Sequence, residues 1–174
     1  MKKNHLYKLV SAALLAALVC VATMIIQIPS PTQGYVNLGD CIVLLSGWML
    51  GPWYGFAAAA VGSALTDMIL GYMQYVPATF VIKGLVALTA YYLLKVLMKL
   101  FREKSFPAVL LSAVIAECIM VFGYFGYEAV VLQYGLAAAA GMTANIAQAV
   151  MGIVAGSVLY LLLARNPQIK RFLH

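Results

Sequence analysis

The chain has 174 residues, of which 65% are hydrophobic and only 9% are charged, whereas soluble domains carry about 25% charged residues. One apolar core of this size cannot bury so many apolar side chains, so a soluble globule is excluded, while a bilayer accepts them at about 20 residues per span. Scarce charge and uninterrupted apolar runs also exclude a disordered chain and a coiled coil.

Apolar runs separated by proline- and glycine-rich breaks predict an all-α, polytopic membrane protein whose six transmembrane helices form one domain. The first run follows a basic N-terminus, but its length and the lack of an Ala-x-Ala cleavage site indicate a retained span instead of a secretory signal. The second run is too short to cross a bilayer upright unless its flanks extend it. The predicted spans are residues 6–27, 40–50, 54–71, 77–100, 107–127 and 138–163.

The basic residues indicate the orientation of these spans. Ten of the eleven Lys and Arg residues lie in three clusters, within residues 2–8, 95–104 and 165–171, and six spans put all three clusters on one side of the membrane. Positive residues collect on the cytoplasmic side, so both termini are predicted to lie inside. This distribution argues against a nucleic-acid partner, and the three cysteines show no C-x-x-C spacing that would indicate a disulfide or metal framework.

The loops at residues 28–40, 71–77 and 128–137 are then external, and none of them contains Lys or Arg. Prolines and glycines in the first loop predict irregular structure there. Asp40, at the end of this loop, is well placed as the N-cap of the second helix.

Ionisable residues within spans are costly, so each is a candidate for function. Asp67 and Lys83 lie at similar depth on two consecutive predicted helices and are positioned to form a neutralising pair. Such an ion pair either neutralises the two charges, so that both helices can lie in lipid, or contributes to a ligand-binding site. Lys83 is the one cation outside the three basic clusters, and a buried ammonium needs an anionic or carbonyl partner.

A second group of polar residues lies on the last two helices. Glu117 is predicted to face the bundle interior, and Asn145 and Gln148 share one helix face because they are three residues apart. Amide and carboxylate groups beside tyrosine rings suit a polar heteroaromatic ligand in an outward-facing cavity, although interhelical hydrogen bonds worth about 1 kcal/mol also explain them. The residues predicted to bind ligand are Tyr35, Asp67, Tyr75, Lys83, Glu117, Tyr124, Glu128, Asn145 and Gln148.

The sequence does not indicate catalysis by this chain. It has no G-x-x-x-x-G-K-[ST] sequence to hold ATP phosphates, so energy has to come from an ion gradient or from partner proteins. Two histidines and no paired nucleophile and base argue against an enzyme. No repeat relates the first three spans to the last three, which weakens an inverted-repeat transporter.

Four segments resemble the substrate-binding S components of energy-coupling factor (ECF) vitamin transporters of the riboflavin, hydroxymethylpyrimidine or pyridoxine type. The resemblance extends over nearly the whole chain in size, span count and orientation. The segments are GYVNLGD at 34–40, GPWYG at 51–55, GSALTD at 62–67 and PATFVIKG at 77–84.

The resemblance implies a six-helix bundle in the bacterial plasma membrane that binds one vitamin or precursor from outside, between helices four to six and the first loop. It also implies docking on a transmembrane scaffold subunit with two cytoplasmic ATPases, which use ATP while this chain needs no cofactor. Small residues four apart let helices pack closely, and the pairs Ala12/Ala16 and Ala13/Ala17 match the family's A-x-x-x-A docking signature.

Three hypotheses follow from these patterns. The first is a high-affinity vitamin-binding subunit without catalysis of its own. The alternative is an autonomous secondary transporter driven by protons, with Asp67 or Glu117 as the proton carrier. The third is a purely structural membrane protein, which the many small-residue spacings motivate.

Overall fold

The computed structural model describes residues 2–30, 32, 34–101 and 105–166. Within these residues the chain forms six α-helices, a small β-hairpin, one π-helical turn and one 3-10 turn. The predicted all-α fold with six helices is therefore confirmed. The helices are α1 Lys2–Ile25, α2 Gly39–Leu50, α3 Pro52–Leu70, α4 Val76–Leu100, α5 Ser105–Gly126 and α6 Ala139–Leu163.

In the described residues, every helix except α2 is long and apolar enough to cross a membrane by length and composition. The outward side chains of these helices are large and apolar, such as Leu14 on α1 and Val154 on α6, which are 62% and 59% exposed. A bilayer solvates such surfaces, whereas soluble proteins rarely expose them over large areas. The exposed faces therefore suit a bundle surrounded by lipid.

The short helix α2 lies inside the bundle, in contact with α1, α3, α4 and α6. It crosses α4 closely at Gly47, where a Cβ atom would lie 2.1 Å from the backbone oxygen of Ala87. One residue further on, Trp48 donates a hydrogen bond from Nε1 to Ser112 Oγ at 3.1 Å, and its ring packs edge-on against Tyr160. Glycine at 47 and tryptophan at 48 thus fix α2 against its neighbours.

The length of α2 leaves space at one end of the bundle. With 12 residues it is about 18 Å long at 1.5 Å per residue, well short of the ~30 Å apolar layer of a bilayer. Its first residue, Gly39, is buried, so the helix begins inside the bundle. The connection from α1 has to reach inward to this start, and polar groups of the connection line the space that remains.

The first loop contains a small β-hairpin where the sequence predicts irregular structure. Ile28–Pro29 (β1) pairs antiparallel with Tyr35–Val36 (β2), and Ile28 lies opposite Val36. This pairing satisfies backbone groups that would otherwise lack partners beside lipid. The hairpin holds the intervening Thr32 and the strand residue Tyr35 at the end of the bundle where α2 stops short.

The start of α2 also differs from the prediction. Leu38, not Asp40, is the N-cap residue, and Oδ1 of Asn37 accepts a hydrogen bond from the Gly39 amide at 2.8 Å. Asp40 lies in the first helical turn and is fully buried. The expectation that Asp40 caps the helix is therefore wrong, because its carboxylate has partners inside the bundle.

Helical structure continues beyond the predicted end of the fifth helix. A π-helical turn, Tyr127–Val131, follows α5 directly, and a 3-10 turn, Gly135–Ala138, leads into α6. The predicted loop over residues 128–137 is thus mostly helical. The wider π turn places Glu128 inward, where it is buried, and such turns often occur at functional sites.

Candidate ligand-binding site

A partly open cavity lies at the end of the bundle where α2 stops short. The hairpin, the turn before α4 and the π turn after α5 surround its mouth. Eight of the nine residues predicted to bind ligand line it; their role in binding stays a prediction. The lining residues are Thr23, Ser30, Gly34, Tyr35, Asn37, Gly39, Asp40, Ser63, Asp67, Tyr75, Thr79, Lys83, Tyr124, Glu128, Asn145 and Gln148.

The floor of the cavity is a buried ion pair with an amide beside it. Nζ of Lys83 on α4 donates to Oδ1 of Asp40 on α2, and Gln148 on α6 donates from Nε2 to Oδ2 of Asp40 at 2.6 Å. Oε1 of Gln148 accepts from the backbone amide of Asn37 at 3.0 Å. Three helices and the first loop are thereby joined through Asp40 and Gln148.

The predicted pairing of Lys83 with Asp67 is therefore wrong. Asp67 instead accepts a hydrogen bond at Oδ1 from the Tyr35 hydroxyl at 2.6 Å. Lys83 reaches Asp40 because α2 runs back into the bundle beside α4 and brings its first turn to the depth of the lysine. The carboxylate that pairs with Lys83 is therefore Asp40 on α2 and not Asp67 on α3.

One wall of the cavity consists of Tyr35 with its neighbours. Its ring packs against Tyr72 at a centroid distance of 4.7 Å, and its hydroxyl donates to Asp67. Burial, and then the charge and hydrogen bond of Asp67, raise the pKa of the Tyr35 phenol above its ordinary value. The phenol therefore stays protonated and remains a donor over the whole physiological pH range.

The opposite wall is a cluster around Glu128. Oε1 of this carboxylate accepts hydrogen bonds from the Tyr75 hydroxyl at 3.1 Å and from Thr32 Oγ1 at 3.0 Å. The Tyr75 hydroxyl also lies 2.6 Å from the backbone oxygen of Thr32. Burial, followed by the charge of Glu128, raises the pKa of Tyr75. The first loop is thus held to the end of α5 through hydroxyl groups.

Aromatic rings form the back of the cavity. Tyr124 is buried, and its hydroxyl lies 2.9 Å from Thr79 Oγ1. Its ring centroid is 5.4 Å from Nζ of Lys83 and 6.3 Å from the ring of Tyr75. Asn145, which is half-buried, adds an amide to the lining. A flat polar ligand would therefore meet ring faces and hydrogen-bonding groups together.

Glu117 does not line the cavity, so its predicted place among the lining groups is wrong. Its side chain is 1% exposed, and its two carboxylate oxygens have no hydrogen-bond partner among the described residues. A Cβ atom at Gly152 would lie 3.5 Å from Glu117 Oε1 and 2.8 Å from Asp40 Cβ. Glu117 therefore lies behind the floor, next to the ion pair, where its position on α5 faces α6 and α2.

Sequence analysis missed several lining residues. Asp40 is interpreted from the sequence as a helix cap, and this interpretation leaves it out of the candidate site. Asn37 and Thr79 lie in the segments that carry the family resemblance, and this is the one signal that singles them out. Ser30 and Thr32, in the first loop, have no distinguishing pattern.

The four alanines of α1 divide into two faces. Ala12 is buried, and Ala16 packs its backbone against α3, because a Cβ atom at Gly62 would lie 2.5 Å from the Ala16 oxygen. Ala13 and Ala17 are exposed. Internal packing thus accounts for Ala12 and Ala16, while Ala13 and Ala17 form a smooth outward stripe.

No group of three or more His, Cys, Asp or Glu side chains with metal-binding geometry occurs in the part of the chain that the structure describes.

Known proteins resemble this chain in sequence and fold. A family model described as "ECF-type riboflavin transporter, S component" matches residues 3–165. A Pyrococcus woesei protein described as "Uncharacterized protein in gap 3'region" is 36% identical over 149 residues, covering 85% of this chain and 95% of that protein. A solved structure of the S component of a bacterial ECF transporter is 22% identical with a TM-score of 0.71, covering 92% of this chain and 96% of that one.

Proposed function

Because the chain belongs to the family of ECF-type riboflavin transporter S components, as its sequence resemblance predicts, we propose that it binds one vitamin or vitamin precursor in the cavity at the end of its bundle. It is a multi-pass membrane protein and the substrate-binding subunit of an ECF transporter. The proposed ligand belongs to the pyridoxine, hydroxymethylpyrimidine or riboflavin class.

The lining of the cavity carries this proposal. It combines tyrosine rings with amide, hydroxyl and carboxylate groups from all six α-helices and the first loop, which is the composition expected of a site for a small polar ring. Tyr124 and Tyr75 offer ring surface, and Asn145 and Gln148 offer amides. Burial of these groups lets a small ligand gain strong hydrogen bonds without competition from water.

The charge distribution supports an orientation with both termini inside. In the described part of the chain, Lys8, Lys95, Lys99 and Arg165 all lie at the end of the bundle opposite the cavity. Lys2 and Lys3 belong to the first turn of α1, near Lys8, and Arg102, Lys104, Lys170 and Arg171, the remaining members of the predicted clusters, lie outside the described residues. Positive residues favour the cytoplasmic side, so the cavity would open outward from the plasma membrane of a bacterium.

Energy for uptake would come from partners. In our proposal a transmembrane scaffold subunit docks on the outward stripe of α1, formed by Ala13 and Ala17, and two ATPases on that scaffold hydrolyse ATP. This chain would then need no cofactor and would catalyse no reaction. Binding and energy conversion would reside in different subunits of the transporter.

One observation favours a second candidate, the autonomous proton-coupled transporter. Glu117 is a buried carboxylate without a hydrogen-bond partner among the described residues, and intramembrane carboxylates commonly carry protons in pumps and transporters. Asp67 is the other carboxylate that this candidate uses. The two candidates differ in whether the chain moves solute without partners.

The test is a titration of the purified full-length chain with pyridoxine, hydroxymethylpyrimidine and riboflavin, followed by tyrosine and tryptophan fluorescence. We expect nanomolar affinity for one of them and no ATP hydrolysis. Gln148→Ala should weaken binding, whereas Gln27→Ala, an exposed change outside the cavity, should leave it unchanged. Absence of binding to all three compounds would contradict the proposal. Uptake under a pH gradient by vesicles containing this chain alone would establish the second candidate.

A further inference from the structure

Glu117 on α5 is a buried ionisable group that the candidate binding site does not use. Its side chain is 1% exposed, and neither carboxyl oxygen has a hydrogen-bond partner in the described part of the chain. A buried polar oxygen without a partner costs free energy, so such a group requires an explanation. Contact with a ligand does not provide one, because Glu117 does not line the cavity.

The charged neighbours of Glu117 belong to other helices. A Cβ atom at Gly152 on α6 would lie 3.5 Å from Glu117 Oε1 and 2.8 Å from Asp40 Cβ, so both acidic side chains approach the same glycine. The charges of Asp40 on α2 and Lys83 on α4 both act on Glu117. The thiol of Cys41, also on α2, is a further titratable group within electrostatic reach. Two carboxyl groups thus lie near one ammonium.

The charges of this cluster balance when one of the two carboxyl groups carries a proton. Asp40 is the ionised one in the observed arrangement, because it forms an ion pair with Lys83. Ionising Glu117 as well would bury a second negative charge without a cation, and a buried carboxyl group takes up a proton instead of paying that cost. The cluster is then neutral, with the proton on Glu117.

We propose that Glu117 is a second counter-ion for Lys83, which holds a proton while the lysine pairs with Asp40 and gives it to Asp40 when the lysine turns to Glu117. The lysine can change partner because its ammonium lies at the end of a flexible four-carbon chain and has three donors. The proton only moves from one carboxyl group to the other, so the cluster stays neutral. Hydrogen bonds at the cavity floor can then rearrange without leaving a buried charge unpaired.

This inference goes beyond the proposed function, because it concerns the chain without a ligand. Infrared spectroscopy of the purified full-length chain tests it, since a protonated carboxyl group has a carbonyl band distinct from the bands of a carboxylate. The wild type should show a band that Glu117→Gln removes. Asp40→Asn should remove the same band, because Glu117 then becomes the anion opposite Lys83. Adding Lys83→Ala to Asp40→Asn should restore it, since no cation remains for Glu117 to neutralise.

Thermal unfolding followed by circular dichroism gives a second readout. Glu117→Gln should leave the midpoint close to that of the wild type, because Lys83 keeps Asp40. Asp40→Asn should lower it by less than about 5 °C, since Glu117 replaces the lost anion. Combining Asp40→Asn with Glu117→Gln leaves the ammonium unpaired and should lower the midpoint by about 10 °C or more. A loss larger than the sum of the two single losses is the sign of a shared counter-ion.

Asp67→Asn is the matched control, because Asp67 accepts a hydrogen bond from Tyr35 instead of pairing with Lys83. It should leave the Glu117 band in place, and loss of the band in this variant too would overturn the inference. So would absence of the band from the wild type, its persistence in Asp40→Asn, or additive losses in the thermal midpoint.

Folding of the variants also bears on the inference. Failure of Asp40→Asn to fold, while the variant that adds Lys83→Ala folds, would show that Glu117 does not neutralise the lysine and would overturn the inference. If neither variant folds, the spectra of the wild type and of Glu117→Gln decide. All of these outcomes leave the proposed function in place, because the vitamin titration tests that function separately.

Discussion

Lys83 and Asp40 form an ion pair whose side chains are 5% and 0% exposed. A buried charge of this kind is tolerated in lipid only when its partner stays in place. Gln148 donates to the second oxygen of Asp40, and Tyr124 presents its ring to the ammonium at 5.4 Å. The floor of the cavity is thus a structural unit as well as a candidate binding surface.

Replacing the lysine tests both roles. Lys83→Ala leaves the Asp40 carboxylate buried without its cation, and removing one partner of a buried pair costs about 3–5 kcal/mol of stability. We expect a lower thermal midpoint in detergent and weaker ligand binding, measured by circular dichroism and by fluorescence titration.

The control adds Asp40→Asn to Lys83→Ala, which removes the uncompensated charge while an amide remains for Gln148. The double variant should recover most of the lost stability. If it does so and ligand affinity equals that of the wild type, Lys83 serves helix pairing alone.

Tyr35 gives a prediction about pH. The raised pKa of its phenol means that the folded protein keeps this proton at a pH where the unfolded chain, with an ordinary tyrosine pKa near 10, releases it. Stability from this group is complete below pH ~10 and decreases as the pH rises further. Tyr35→Phe should therefore lose less stability than the wild type as the pH rises above about 10, in thermal unfolding followed by circular dichroism.

Tyr7→Phe is the control for this pH dependence, because Tyr7 is 54% exposed on α1. Its alkaline stability profile should match that of the wild type. An identical profile for Tyr35→Phe would contradict the assignment of a buried, hydrogen-bonded phenol to position 35.

Much of the residue-scale chemistry could be predicted, because ionisable and amide groups are conspicuous in apolar sequence. The hydrogen-bond and ion-pair partners of these groups could not be predicted. Lys83 requires an anionic partner, and the structure shows that this partner is Asp40 instead of Asp67. The reason is that α2 begins inside the bundle, at the level of Lys83. Residue spacing within one helix does not indicate where a different helix begins. Glu117 was likewise expected at the cavity, although three-dimensional position puts the floor between it and the ligand space.

Helix contacts depend on small residues at specific crossings. Gly47→Ala on α2 would place a Cβ atom 2.1 Å from the backbone oxygen of Ala87 on α4, and backbone atoms cannot move aside as a flexible side chain can. Overpacking of this type costs about 1–3 kcal/mol. We expect a clear drop in the thermal midpoint of the purified protein, together with weaker ligand binding as Asp40 shifts with α2.

Gly126→Ala, at the end of α5, is the matched control. A Cβ atom there has no heavy atom within 4 Å, and alanine favours helix over glycine by about 1 kcal/mol. Its thermal midpoint should equal or exceed that of the wild type. Equal midpoints for Gly47→Ala and the wild type would contradict the close crossing of α2 and α4.

At the scale of elements, the helices themselves are the most predictable feature, because about 20 consecutive apolar residues have few other structures available in lipid. The hairpin after α1 and the π turn after α5 were not predicted. Pro29 disfavours a β-strand when the sequence is considered locally. Glu128 is predicted to lie in a loop because its partners, Thr32 and Tyr75, come from distant parts of the chain.

For the whole molecule, docking on the scaffold subunit is the central proposal. Ala13→Trp or Ala17→Trp should block close approach to the outward stripe of α1 and abolish co-purification with the scaffold, because a bulky ring prevents small-residue helix packing. Ligand binding should persist in both variants, since Ala13 and Ala17 are exposed on the outer face of α1 and neither lines the cavity.

Ala147→Trp, at an exposed position on α6, is the matched control and should keep the scaffold bound. Retained co-purification with Ala13→Trp and Ala17→Trp would remove the docking role from α1. The sequence alone could not show which alanine pair faces the bundle, because Ala12/Ala16 and Ala13/Ala17 have the same spacing. The close contact of Gly62 on α3 with Ala16 decides that the first pair is covered.

The shortness of α2 has a consequence for how such proteins diversify. The groups of the floor, Asp40, Lys83 and Gln148, lie on helices whose mutual packing depends on them, whereas Tyr35, Thr32 and Glu128 lie on a hairpin and a π turn at the rim. Exchanging a rim side chain changes what is recognised while the bundle stays intact. We expect family members that bind different ligands to keep the residues of the cavity floor and to differ at the rim. Ligand specificity would then change while the packing of the helix bundle stays the same.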